Sequence, residues 1–210
     1  AFATGVKIAN PDLEVFLISG DGDLLSIGGN HTMHALRRNI NINIVLLNNK
    51  IYGLTKGQYS PTSEVGKVTK STPFGSLDEP INPITLALAS GGTYVARSLD
   101  VDVKGLTPLI DRGAKHNGTS FIEVYQDCNV FNHQAWFYAT QKETRLENTV
   151  LLEHGKPLIF GAESNKGIRR NGDAVEVVTL GDEFTEADLL VHDETNLSQA
   201  FTLSQLYYPD

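Results

Sequence analysis

The chain has 210 residues, enough for one substantial domain with its own core. Hydrophobic residues make up 40% and charged residues 20%, as in an ordinary soluble globular domain, and no apolar run approaches the roughly 20 residues needed to cross a bilayer. A net charge of −8 argues against nucleic acid or an anionic membrane as a partner. The single cysteine, Cys128, rules out an internal disulfide framework and fits a reducing compartment, so a cytoplasmic location is expected. The opening Ala1-Phe2-Ala3-Thr4-Gly5 has no initiator Met, basic n-region or apolar h-region. It is no signal peptide and is expected to be interior to a longer protein.

Residues 11–20 read as a lead-in followed by a buried strand, Val15-Phe16-Leu17-Ile18, ending in a glycine turn. Residues 24–38 carry helical spacing through Leu24, Ile27, His31 and Ala35, and Asn39 stops them. The β-branched run 40–45 is the next strand, so residues 14–48 form a βαβ unit with parallel strands and a right-handed crossover. Residues 53–83, rich in Gly, Ser, Thr, Lys and Pro, form a long loop where a ligand would sit. A helix follows over 83–89, opened by Pro83 and ended by Gly91-Gly92, and then a third strand, Tyr94-Val95-Ala96-Arg97. Residues 107–115 predict a helix capped by Thr107 with Pro108 at its first position, and residues 119–125 a fourth strand. Beyond residue 133 the pattern changes. Residues 135–148 predict a helix, 157–180 a β-ribbon with Asn171-Gly172 as a type I′ turn, and 183–191 a short helix or acidic loop. The expected class is α/β, a parallel sheet with helices on both faces over 1–135. Residues 136–210 are a C-terminal extension of helix plus β-hairpin that faces a partner.

Gly20-Asp21-Gly22-Asp23 follows the first strand, and Asn48-Asn49 ends the second. A dinucleotide fingerprint fails, because it needs glycine where Leu25 stands, and no GxxxxGK[ST] phosphate loop occurs. What remains is an Asp between glycines at the carboxyl end of a parallel strand, the edge where α/β sheets bind ligands. Glycines let backbone N–H groups approach phosphate oxygens. An Asp carboxylate, an Asn amide oxygen and a nearby carbonyl suit Mg²⁺, which takes a few protein oxygens and completes its octahedron with phosphate and water. The alternative is a strand-capping Asp beside a turn-forming Asn pair.

The spacing GDG…NN resembles the thiamine diphosphate-binding motif. Ser26-Ile27-Gly28-Gly29-Asn30-His31, His34-Ala35-Leu36-Arg37-Arg38-Asn39 and the run from Asn48 through Lys50-Ile51-Tyr52-Gly53-Leu54-Thr55-Lys56-Gly57-Gln58-Tyr59-Ser60-Pro61-Thr62 narrow it. They resemble the β subunit of 2-oxoacid:ferredoxin oxidoreductases, most closely the 2-oxoglutarate type, over residues 10–180. The resemblance implies a PP-type thiamine diphosphate-binding fold. It makes Asp21, Asn49 and the Ile51 carbonyl the Mg²⁺ ligands, with Gly20, Gly22, Asp23, Gly53, Leu54 and Thr55 lining the diphosphate. His31 would face the thiazolium or the substrate as the catalytic residue, or else be a helix histidine satisfied by a neighbour. Cys128 falls on the fourth ligand position of a [4Fe–4S] cluster whose other three cysteines would lie upstream of residue 1. The alternative is a small buried hydrophobe. Lys50 and Lys56 could meet the diphosphate or the second carboxylate of 2-oxoglutarate. Arg37-Arg38 complements a helix end or serves substrate or CoA.

The implied activity is oxidative decarboxylation of a 2-oxoacid, best 2-oxoglutarate, to acyl-CoA and CO₂, with electrons passed to ferredoxin. The carboxylate that activates the aminopyrimidine would come from a partner α subunit, so an α₂β₂ assembly is expected. Two rivals remain: a non-oxidative thiamine diphosphate-dependent decarboxylase or synthase subunit, and a non-catalytic partner subunit.

Overall fold

The computed structural model describes residues 1–207. It divides into two compact units, one ending at Trp136 and one beginning at Phe137. In chain order the first unit holds α1 (Phe2–Ala9), β1 (Phe16–Gly20), a π-helical turn (Asp23–Ile27), α2 (Gly29–Arg37) and β2 (Asn43–Asn48). There follow α3 (Pro83–Ala89), β3 (Tyr94–Leu99), α4 (Val103–Lys115) and β4 (Ser120–Tyr125). The four strands make one sheet of order β1-β2-β4-β3, every neighbouring pair parallel.

Side chains alternate faces along each strand, and both faces are apolar. Ile44, Leu46 and Phe121 turn to one side with Leu17 and Val95, against Leu36 of α2 and Ala87 of α3. Val45, Ile122 and Val124 turn to the other with Ala96, against Leu106 and Ile110 of α4. Helices therefore cover both faces, as expected.

The helix expected over 24–38 is divided. The Gly28 N–H reaches back to the Asp23 carbonyl at 2.8 Å, a π-type bond that widens the first turn. The Leu24 carbonyl accepts instead from the Thr32 hydroxyl at 3.0 Å. Only glycine fits at 28, because a Cβ there would stand 2.5 Å from the Asp23 carbonyl oxygen. β2 starts later than the β-branched run, at Asn43, because the Ile40 carbonyl is taken by the Thr119 hydroxyl at 2.6 Å. α4 starts earlier than expected. Its cap is Asp102, whose carboxylate accepts the Gly105 N–H at 3.2 Å, so Pro108 lies inside the helix and Thr107 is no cap. The Thr107 hydroxyl turns back to the Val103 carbonyl at 2.8 Å. Nothing in the apolar spacing announced α1.

In the second unit the helix expected over 135–148 is two pieces, α5 (Phe137–Thr140) and α6 (Lys142–Asn148), parted at Gln141, whose extended backbone caps α6. The ribbon is a three-stranded antiparallel sheet of β5 (Ile159–Phe160), β6 (Lys166–Asn171) and β7 (Ala174–Thr179). Asn171 pairs with Ala174, so the two-residue turn is Gly172-Asp173, and of these only Gly172 has positive φ, at 61°. A type I′ turn needs positive φ at both, so the hairpin is present but its expected turn type is not. A 3₁₀ turn (Glu186–Asp188) and α7 (Leu197–Ser204) complete this unit. Residues 208–210 of the expected extension lie outside the described residues.

Candidate functional site

β1 and β2 run side by side with Gly20 opposite Leu47, so the residues after them, Asp21 and Asn49, emerge together at the carboxyl edge. Asp21 is 1% exposed. Its Oδ2 accepts from the hydroxyls of Ser60 at 2.5 Å and Thr62 at 2.7 Å. Burial pushes the Asp21 carboxyl above its ordinary value, and the hydrogen bonds from Ser60, Thr62 and the backbone pull partly the other way.

Asp21 Oδ1 faces elsewhere. The terminal amide of Asn49 stands 2.9 Å from the Ile51 carbonyl oxygen and 3.3 Å from Asp21 Oδ1, and without a cation its nitrogen is the end that fits there, donating to both. With a divalent cation between these groups, the amide oxygen would take that place as a ligand beside Asp21 Oδ1 and the Ile51 carbonyl. At Mg–O bonds of about 2.0–2.1 Å, adjacent ligand oxygens of an octahedron stand about 2.9 Å apart. The donor set therefore fits a hard cation.

The surroundings are rigid. Asn48 sends its amide nitrogen to Glu123 at 2.7 Å, and Glu123, fully buried, accepts from Arg97 Nε at 2.7 Å. Asn132 holds the Asn49 carbonyl at 2.9 Å, and Trp136 Nε1 donates to the Asn48 carbonyl at 2.8 Å. Gly22 is buried beneath Tyr52, whose hydroxyl donates to the Gly22 carbonyl at 3.0 Å. A Cβ on Gly22 would come 2.3 Å from that ring.

The other anticipated residues are spread around this centre. Gly20 ends β1, and Asp23 opens the π-helical turn with its side chain exposed. Residues 52–58 form a small hairpin closed by a Tyr52–Gln58 bridge, and Gly53, Leu54 and Thr55 lie on it. Leu54 at its tip is 97% exposed, and the Thr55 hydroxyl donates to the Gln58 side chain. The Cys128 thiol lies beside Gly53, 3.9 Å from where a Cβ would stand. It is the chain's only cysteine, and a cubane cluster needs about four thiolates, so the residues of this chain do not by themselves make a cluster site. Among the described residues no group of three His, Cys, Asp or Glu side chains is placed to hold a metal.

His31 is not drawn into the Asp21–Asn49–Ile51 cluster. It sits exposed on α2 and lines a different, smaller cleft of about 170 Å³ with Ser19, Asp23 and Gly28. Lys50 is committed, its ammonium 2.9 Å from Glu64 and 3.9 Å above the Trp136 ring. Lys56 is exposed and lines a cleft of about 500 Å³ with Ile51, Lys67, Lys70 and Phe131. Arg38 caps its own helix through the His34 carbonyl at 3.5 Å, and Arg37 is exposed in the last turn.

Sequence reasoning missed the supporting residues Asn48, Ser60, Thr62, Glu123, Arg97 and Asn132. One signal was available. Glu123 interrupts the apolar strand Phe121-Ile122-Glu123-Val124, and Arg97 stands opposite it on β3. A charge inside a strand buried on both faces needs a partner.

Residues 1–124 match the family model described as the thiamine pyrophosphate enzyme, C-terminal TPP binding domain. The chain belongs to this family. It is 50% identical over 208 residues to the 2-oxoglutarate oxidoreductase subunit KorB of Mycobacterium tuberculosis, covering 98% of this chain and 55% of that protein. It is 49% identical over 131 residues to the 2-oxoacid:ferredoxin oxidoreductase subunit beta of Saccharolobus solfataricus, covering 62% of this chain and 43% of that one. Among solved structures it resembles the 2-oxoglutarate:ferredoxin oxidoreductase from Magnetococcus marinus with 2-oxoglutarate, coenzyme A and succinyl-CoA bound. That match has a TM-score of 0.63 and 42% identity, over 64% of this chain and 46% of that one. The chain thus spans about half the length of the relatives it matches. The expected family and the parallel-sheet, thiamine diphosphate-binding fold are both borne out. No helix among the described residues is long and apolar enough to cross a membrane.

Proposed function

We propose that this chain is the diphosphate-binding part of the β subunit of a 2-oxoacid:ferredoxin oxidoreductase. It would act with an α subunit, in an α₂β₂ assembly, to convert 2-oxoglutarate and CoA to succinyl-CoA and CO₂ with electrons passed to ferredoxin. The observation that carries this is that Asp21 Oδ1 and the Ile51 carbonyl flank the Asn49 amide, at 3.3 and 2.9 Å, beside a glycine loop. Those three groups would hold Mg²⁺, which would supply the positive charge that anchors a diphosphate. At Gly20 an added Cβ would meet nothing within 4 Å and at Gly53 only the Cys128 thiol at 3.9 Å, which leaves room for phosphate oxygens.

Thiamine diphosphate, when bound, supplies the thiazolium carbon that adds to a keto carbon and takes up the electron pair left when CO₂ departs. This chain's residues anchor and orient it. Asp21 is held by buried hydroxyls, Tyr52 seats the glycine turn, and the 52–58 hairpin follows Ile51 directly in the chain. In the neighbouring cleft Lys56 and Lys70 offer positive charge to substrate carboxylates or to phosphates of CoA. The carboxylate that activates the aminopyrimidine belongs to the partner subunit, and the C-terminal unit offers a further surface to that partner. Cys128 contributes one thiolate to a [4Fe–4S] cluster otherwise held outside this chain.

The test is turnover by the assembled α and β subunits with Mg²⁺, thiamine diphosphate, CoA and an artificial one-electron acceptor. Acceptor reduction should require CoA and run faster with 2-oxoglutarate than with pyruvate. CO₂ release that ignores both CoA and the acceptor would sink this reading in favour of the non-oxidative decarboxylase.

A further inference from the structure

The Asp21 carboxylate is shared unequally. Oδ2 receives both hydroxyls, from Ser60 and Thr62, while Oδ1 is left facing the Asn49 amide and, through it, the Ile51 carbonyl. We propose that Ser60 and Thr62 are positioning residues of the cation site, fixing one Asp21 oxygen so that the other is aimed at the metal. The inference rests on the Mg²⁺-binding reading above and adds two residues that do not touch the ion.

The hydroxyls are themselves held. Residues 60–63 form a tight turn in which Ser63 N–H reaches the Ser60 carbonyl at 3.0 Å and Ser60 N–H reaches the Ser63 hydroxyl at 2.8 Å. The Ser63 hydroxyl then donates to the Lys50 carbonyl at 2.7 Å, tying the turn to the loop that carries Asn49 and Ile51. Ser60, Thr62 and Ser63 are all buried. Thr62 Oγ1 also lies 2.8 Å from Asn48 Oδ1, and Asn48 is pinned by its bond to Glu123. A threonine hydroxyl carries one proton, and here two acceptors flank it. When Asp21 carries its charge beside a cation, the charged acceptor takes that proton, because hydrogen bonds to ionised groups are the stronger ones. Groups that orient a metal ligand from behind are typically worth about 10–100-fold in metal affinity.

Mg²⁺ affinity, measured by calorimetry on the assembled subunits at saturating thiamine diphosphate, tests this. Thr62→Val keeps the side-chain shape and removes the donor. It should weaken Mg²⁺ binding about 10-fold or more, while Thr62→Ser, which keeps the hydroxyl, should stay within about 3-fold of the wild type. Mg²⁺ demands near-ideal octahedral geometry and Ca²⁺ does not, so Thr62→Val should also lose more affinity for Mg²⁺ than for Ca²⁺. A purely structural role would move both ions equally. If Thr62→Val does not assemble, Ser60→Ala, which removes the other donor to the same oxygen, must show the same preferential Mg²⁺ loss. Unchanged affinities, or equal losses for both ions, overturn the inference and leave the function standing. A wild-type complex that binds thiamine diphosphate without any divalent cation overturns the metal site and this inference together.

Discussion

Asp21 and Leu54 belong to one candidate site, yet Asp21 is 1% exposed among hydroxyls and amides while Leu54 is 97% exposed at a hairpin tip. The first lies on a buried polar network running Asp21–Thr62–Asn48–Glu123–Arg97, each contact at 2.7 or 2.8 Å. The second sits on a local hairpin closed by the Tyr52–Gln58 bridge, with Lys56 N–H to Gly53 and Gly57 N–H to Tyr52 inside it. A hard cation tolerates little error in ligand position, so its groups are set by the fold in advance. Leu54 packs on almost nothing among the described residues, which leaves it free to meet a ligand or another subunit. The two regions should answer mutation in opposite currencies: loss of cofactor and stability in the network, loss of substrate handling in the hairpin.

The strongest way to break this contrast is Asp21→Ala. Removing a direct ligand should cost more than the roughly 100-fold that bounds most outer-shell effects, so Mg²⁺-dependent thiamine diphosphate binding should vanish from calorimetric titrations. Binding retained within about 10-fold would take Asp21 out of the metal site.

Glu123→Ala comes next. It deprives Asn48 and the partly exposed Arg97 of their buried carboxylate partner, and since deleting one partner of a fully buried ion pair costs about 3–5 kcal/mol, the loss here should lie below that range. The midpoint of denaturant unfolding should fall accordingly. A loss under about 1 kcal/mol would mean that the network carries little of the stability assigned to it.

The doubly apolar strands, the βαβ order and the glycine turn were legible in the sequence because each depends on residues adjacent in the chain. The residues that make the site rigid were not. Thr62 meets Asp21 only because the 53–83 loop folds back over the sheet edge, and no local pattern encodes that return. Pro108 pointed to a helix start because a proline fits a first turn, whereas Asp102 had already supplied the cap a turn and a half earlier. His31 stood at helical spacing with the apolar stripe, and it lies exposed on α2 in a cleft with Ser19, Asp23 and Gly28, beyond a π-helical turn at Asp23–Ile27 that the spacing did not announce. Cys128 lies beside Gly53 of the hairpin, and its cluster role was legible only through the resemblance, because the three further cysteines it needs were expected upstream of residue 1.

A gentler test of the buried half uses pH. Burial raises the Asp21 carboxyl above its ordinary 3.8. Without a cation, the folded chain keeps this proton to a higher pH than the unfolded chain does. Asp21's contribution to stability is then full below the ordinary value and is lost as pH rises through the raised one. Mg²⁺ takes the proton's place on the charged carboxylate. The gain in melting temperature on adding Mg²⁺ with thiamine diphosphate should therefore grow as pH rises from the ordinary carboxylate value through the raised one. A gain that is flat with pH, or that shrinks, contradicts a buried Asp21 as the ligand.

The smallest expected effect lies at the hairpin and is the sharpest test of the contrast. Leu54→Ala removes a side chain with almost no protein contact, and exposed substitutions usually change stability by less than about 0.5 kcal/mol. Melting temperature and Mg²⁺ affinity should match the wild type. The effect should appear in turnover by the assembled subunits, as a higher KM for 2-oxoglutarate or a changed preference between 2-oxoglutarate and pyruvate. The tip's only available contacts are with ligands or with the partner. If Leu54→Ala instead lowered Mg²⁺ affinity as much as Thr62→Val, the hairpin would have to close onto the metal centre when the cofactor binds. The division between a preset clamp and a free tip would then hold only before binding.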